Sequence, residues 1–389
     1  MKKFQLTVVW IFLFFTCIAS SIHAQVPELI TNKRFQQDAK VAIDSLYNFN
    51  FKGSERQIAS WKKKYPNDPI WKLIDAMKFW WQIISDLNAT SHDKHFIKMM
   101  KQADYAASKV LYKQHGNADA LLVRTAANGF IARLYSDRDE WIKSLRAAHK
   151  AYKVYGVLKK NIPALPDLKL TKGLKLYYSA YLPKAYPVVK TVSMFLPKGN
   201  EQKGLQCLRE ASKNAIFAKA EATYFLGDIN LNYEHNYKKA IYYFKKLYHN
   251  YPRNNYYARL LVRSEYKVGQ YDDALHVIDE SLQRWKKQNI PYQKILKENL
   301  LYWKGRIFYH NKKYDQALPL FAKSFQLSKK LPRSQHRKFY VEAAYYSGMI
   351  LEKQGKKQKA IQQFKLAKKA KVEKNFQKKA QTELEHLQS

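Results

Sequence analysis

The clearest regularity along the chain is a set of apolar positions three and four residues apart, separated by Lys, Gln, Asp and Glu. In "NYKKAIYYFKKLYHNYP", Ala240, Phe244 and Leu247 share one helical face and Pro252 ends the run. The same small–large alternation returns at Ala274, Ile278 and Ser281, at Ala317, Phe321 and Ser324, and at Ala360, Phe364 and Ala367. The anchoring alanines stand 34, 43 and 43 residues apart. Tyr237, Tyr271 and Tyr314 precede the first three anchors by three residues, and Gly227, Gly305 and Gly348 lie twelve or thirteen residues upstream of theirs. Ala, Leu, Lys, Gln and Tyr dominate, and Val and Ile do not cluster in alternating runs. The pattern therefore predicts helices throughout.

Such repetition has a physical purpose. Two antiparallel helices approach closely only where side chains are small, and a large ring then fills the space beside them. A single hairpin leaves one apolar face uncovered, so each must stack on the next. The arrangement resembles the tetratricopeptide repeat (TPR), with Gly or Ala in its first helix, a turn, and a small–large–small face on its second. The resemblance implies an all-α, TPR-type α–α superhelix, a right-handed solenoid of about eight helical hairpins. It is specific from Ala218 to Ala370, although Val262 stands where Gly is expected and "KKQNIPYQKI" and "KKLPRSQHRK" read as insertions.

The N-terminal half matches more loosely. Ser54, Ile58, Trp61 and Pro66 fit the second helix and its stop, as do Ala103, Ala107, Val110 and His115; Trp141, Leu145 and Ala148 fit loosely. These predict hairpins over 33–66, 69–115 and 118–160. The expected organisation is a signal peptide (1–24), divergent TPR-like hairpins (25–160), an irregular Pro-interrupted helical segment (161–203), a C-terminal TPR array (204–371) and a capping helix (372–389).

The first residues, "MKKFQLTVVWIFLFFTCIASSIHAQ", combine Lys2 and Lys3, an apolar core from Leu6 to Ile18 and a tail of small residues, the layout of a secretory signal. The core is too short for a bilayer span, which needs roughly 20 apolar residues, so cleavage after Ala24 is expected, with an uncleaved anchor as the alternative. The junction resembles bacterial export signals of a Bacteroidetes-like type. The expected location is the periplasm or cell envelope, with no transmembrane segment in the mature chain. Cys17 leaves with the signal, and Cys207 alone cannot form an intramolecular disulfide.

Charge adds a second theme. Lys and Arg number 70 against 31 Asp and Glu, a formal +39. Export argues against nucleic acid as the partner, which leaves an anionic envelope lipid or polymer, or simply solvated helix faces.

Catalytic patterns are missing. No Gly-rich phosphate loop, nucleophile elbow or Cys-pair zinc motif occurs. His92 and His95 lack a third ligand, and Asp137 to Glu140 read as a helix start. The expectation is a non-enzymatic protein without cofactor or metal. An enzyme built on the 161–203 segment would have Lys and Tyr but no His, and Asp167 as its one carboxylate before Glu201.

The TPR resemblance implies that first helices line a concave face where a protein or peptide docks. Carried onto this chain, the inward positions are Tyr224 and Asp228, then Tyr256, Arg259, Arg263 and Tyr266, then Asn299, Tyr302, Arg306 and Tyr309, and finally Tyr345. Tyr and Arg commonly dominate binding energy, and Arg259 and Arg263, one turn apart, could hold a carboxylate or phosphate. The carboxylate-clamp pattern of chaperone-binding TPRs is not reproduced, because Tyr224 and Asp228 stand where it places a cation and an amide.

Overall fold

A computed structural model of the chain describes residues 28–186, 198–287 and 293–388. The expected export signal, residues 1–24, lies outside the described residues, as does part of the proposed insertion around 288–292. Among the described residues, seventeen α-helices follow one another and no strand occurs. They pair as α1 (Lys33–Tyr47) with α2 (Phe51–Lys64), α3 (Ile70–Ser85) with α4 (Asp93–Lys113), and α5 (Ala118–Asp137) with α6 (Trp141–Asn161). Next come α7 (Leu168–Ala185) with α8 (Glu201–Asn214) and α9 (Lys219–Asn232) with α10 (Tyr237–Asn250). The last pairs are α11 (Asn255–Val268) with α12 (Tyr271–Lys287), α13 (Gln293–His310) with α14 (Tyr314–Lys330), and α15 (Lys338–Lys353) with α16 (Lys357–Lys368). A final helix, α17 (Lys374–Gln388), covers the last pair through Ala380, Leu384 and Leu387. Eight hairpins and a cap make the all-α solenoid that the repeat predicts.

Local chemistry sets the boundaries. Asn32, Asn50, Asn117, Asn200, Asn236 and Asn254 each accept a backbone N–H of the helix they precede, satisfying a donor that the first turn leaves orphaned. Six of the hairpin turns use a left-handed residue: Phe49, Asp139, His235, Gly269, Lys312 and Gly355. One such residue reverses the chain tightly, and only two of the six are glycine, the residue that adopts it without strain.

The twelve small–large–small positions of the C-terminal array are all buried. Their geometry explains the glycines. A β-carbon on Gly227, Gly305 or Gly348 would lie within 3 Å of the ring of Phe244, Phe321 or Phe364. At the equivalent place in the second unit, Val262 replaces Gly and Ile278 replaces Phe, and both are fully buried. The larger residue on one helix is offset by a smaller one on the other.

Two details differ from the sequence pattern. In α6, Ala148 is exposed, and the buried face is Ala151, Val154, Tyr155 and Leu158, one turn further on. Among its described residues the Pro-interrupted segment contains a continuous helix, α7, with Pro183 confined to its last turn. That helix packs against α8 where Gly173 and Gly204 allow close approach; a β-carbon on Gly204 would sit 2.7 Å from the Tyr177 backbone nitrogen. The hairpin therefore crosses the expected 203/204 boundary, which falls inside α8.

The array folds back on itself. Tyr251 Oη donates to Asp44 (2.8 Å), Asn254 Nδ2 to the Tyr47 carbonyl (2.7 Å), and the Arg253 N–H to Asn48 (2.9 Å). Trp81 meets Tyr257 edge-on at 6.0 Å. Beyond α14, the buried Arg337 reaches Asp86, at the end of α3, at 2.9 Å. N-terminal and C-terminal hairpins thus share one core cluster.

Candidate functional site

The positions expected to face inward share one side of their helices because they recur every three or four residues along α9, α11 and α13, with Tyr345 on α15. The structure gives each a defined surrounding. Tyr224, Tyr256, Asn299, Tyr302 and Tyr345 are buried, while Asp228, Arg259, Arg263, Tyr266, Arg306 and Tyr309 are half-buried. None of these eleven is exposed.

Most are engaged by the chain itself. Tyr224 and Tyr256 join hydroxyl to hydroxyl at 3.1 Å. Tyr302 donates to Glu342, and Arg306 donates to Tyr302 (2.8 Å) and Tyr266 (2.9 Å) while its guanidinium lies 4.2 Å from the Tyr346 ring centroid. Tyr345 packs on Phe364 and Phe376, and Tyr309 on Tyr314 and Tyr346. Asn299 bonds back to the Ile295 carbonyl (2.9 Å), and Asp228 accepts from Asn232 (2.8 Å). These are internal bonds of a packed wall.

Two side chains lack such a match. Arg259 lies over the Tyr256 ring at 4.5 Å, a cation–π contact, and neither it nor Arg263 has an ion-pair partner among the described residues. By contrast, Arg133 pairs with Glu221 at 2.9 Å, and Arg337 with Glu298 at 2.8 Å. Burial pulls the Arg263 guanidinium below its ordinary value; Asp228 opposes that shift and Arg259 adds to it. Burial likewise raises Asp228, and pushes Asp137 up to about 6 despite Arg133. The region is thus a low-dielectric strip in which Arg259 and Arg263 keep unused donors that fit a carboxylate or phosphate.

Sequence reasoning missed Arg133 and Tyr47. Arg133, on α5, inserts between the rings of Trp80 (4.7 Å), Tyr224 (4.4 Å) and Phe225 (5.0 Å). Tyr47 donates to the other oxygen of Glu221 at 2.6 Å. The only hint was an arginine inside the apolar stretch "FIARL" of α5. A second grouping was also hidden. Glu352 on α15 and Glu383 and His386 on α17 bring ligand atoms within 4.8 Å of one another, with His386 Nδ1 3.5 Å from Glu352. His92 and His95 instead lie beside the Phe79 ring.

Among the described residues no helix is long and apolar enough to cross a membrane. No curated protein matches the chain. Solved structures similar to it include yeast Tom70, at 14% identity over 93% of this chain and 90% of that one, with a TM-score of 0.28. Human IFIT1, as a dimer with m7Gppp-AAAA, is 14% identical over 79% and 67%, with a TM-score of 0.34. The P58(IPK) TPR domain is 13% identical over 90% and 97%, with a TM-score of 0.23. The tetratricopeptide-repeat family profile matches residues 259–329. That span runs from α11 to α14 and includes two of the small–large–small faces, so it is over these residues that the chain matches the tetratricopeptide repeat.

Proposed function

We propose that the chain is an exported scaffold of the bacterial cell envelope that binds a protein or peptide along the inner face of its superhelix. Stacked TPR hairpins favour an interaction protein, and the signal-like first residues favour export. Arg259 and Arg263 carry the reading: they are half-buried on the inner face and have no ion-pair partner among the described residues. The partner would present a carboxylate or similar anion to this pair, and no catalytic step is assigned to the chain.

Pull-down from an envelope extract with wild type and with Arg259→Ala/Arg263→Ala tests this. Loss of a wild-type partner from the double variant, with circular dichroism unchanged, is expected; identical partners for both proteins would refute the inner-face site. Cell fractionation tests the location. A mature chain beginning at Gln25 in the periplasmic or envelope fraction is expected, and a full-length chain in the cytoplasm would refute export.

A further inference from the structure

The outer side of α4 carries a second surface that uses none of the inner-face residues. Lys94, Lys98, Lys101, Tyr105, Lys109 and Tyr112 recur at intervals of three and four, so a helix of 3.6 residues per turn aligns them in one stripe about 27 Å long. All six are exposed, Tyr105 at 62% and Tyr112 at 85%. Solvent rarely receives two tyrosines so fully, since each carries a large apolar ring.

Among the described residues, none of the four stripe lysines has an ion-pair partner. The two carboxylates of α4 are both used elsewhere: Asp93 by Arg138 at 2.6 Å, and the buried Asp104 by Arg124 (2.9 Å) and Lys150 (2.5 Å). Lys150 belongs to α6, which contains no acidic residue at all. Lys109 Nζ stands 4.7 Å from the Tyr105 ring centroid, so cations and rings are interleaved along the helix.

We infer that this face docks onto an anionic lipid surface. Lysines on such a surface gain electrostatic attraction to acidic headgroups. Tyrosine rings suit headgroup depth, with an apolar body and a polar tip. The depression between Lys94 and Tyr105 along the stripe is wide open to solvent. An exposed row along a single helix fits a plane better than a polymer that must be wrapped.

The test is sedimentation of the mature full-length protein with vesicles of phosphatidylglycerol and phosphatidylcholine, with pure phosphatidylcholine vesicles and soluble polyglutamate as further arms. Binding to the acidic vesicles alone is expected at roughly 50 mM salt and should vanish at roughly 500 mM as screening shortens. Lys98→Glu/Lys101→Glu/Lys109→Glu should weaken it on the order of a hundredfold. Tyr105→Ala/Tyr112→Ala, which leaves the charge unchanged, should weaken it about tenfold. Lys238→Glu/Lys239→Glu/Lys246→Glu on α10, exposed and equal in charge change, should weaken it less than about threefold. Circular dichroism verifies folding, and the tyrosine pair decides the matter if the charge reversal unfolds. Equal losses from the α4 and α10 triples, no binding to acidic vesicles, or stripe-dependent binding to polyglutamate alone would each overturn the inference.

Discussion

Gly348 lies so close to Phe364 that a β-carbon on its backbone would stand 2.6 Å from the ring's Cε1. This contact joins the two helices of the last hairpin. The ring is fully buried and occupies the space that a side chain at 348 would need.

Gly348→Ala should therefore destabilise the protein by about 1–3 kcal/mol through overpacking, more than any helix-propensity gain returns. The second C-terminal unit supplies the remedy in its own pair, Val262 and Ile278. Gly348→Val/Phe364→Ile should lose less stability than its two single changes summed, a coupling that urea unfolding of the four proteins would measure. Strict additivity would mean the two residues do not share one space.

Lys312 has the same turn conformation as Gly269 and Gly355, with φ of 58° against their 79° and 70°. A left-handed Lys carries steric strain that Gly lacks. Lys312→Gly should raise stability by up to about 1 kcal/mol, and Gly355→Ala should lower it by a similar amount. Thermal unfolding of both variants checks the pair of opposite signs.

Arg337, at 2% exposure, donates to Asp86 and to Glu298. Arg337→Met would leave two buried carboxylates without their cation, and a loss of about 3–5 kcal/mol is expected. Adding Asp86→Asn and Glu298→Gln should recover much of it, because the uncompensated charges go too. Asp86 follows α3 and Arg337 precedes α15, so limited proteolysis should cut the single variant faster between the N-terminal and C-terminal hairpins.

Glu265, at 3% exposure, has an oxygen with no hydrogen-bond partner. Burial first, and Asp273 next, push its carboxyl up to about 8, while Lys245 opposes the shift. A folded value above the ordinary 4.5 means stability is fully present below about pH 4.5 and is lost as pH rises through about 8. Glu265→Gln removes that dependence. It should exceed wild type by about 3 kcal/mol near neutral pH, by more above pH 8, and match it near pH 4; denaturation across that range would show a constant difference if Glu265 does not titrate within it.

The hairpins were legible because their determinants are local. Gly348 and Phe364 are sixteen residues apart, and a helix, a tight turn and a second helix suffice to bring them together. Asparagine caps and left-handed turns act over even shorter spans. Where signals were weaker, the pattern slipped: of Trp141, Leu145 and Ala148 none is fully buried, and the buried positions of α6 begin at Ala151, a turn past Ala148, because alanines at 147, 148 and 151 offer several registers with similar apolar spacing.

The surroundings of the inner face came from tertiary structure alone. The sequence placed Tyr224, Tyr256 and Tyr302 on one side of their helices, but it did not say what would cover them. Tyr47 bonds to Glu221 across 174 residues, and Arg337 reaches Asp86 across 251. Such meetings depend on small rotations accumulated from hairpin to hairpin, a sum that no single repeat encodes. The chain by itself determined which helices pair and which side chains share a helical face. The curvature of the stack decided which of those side chains the protein consumes and which, such as Arg259 and Arg263, it leaves with donors unused.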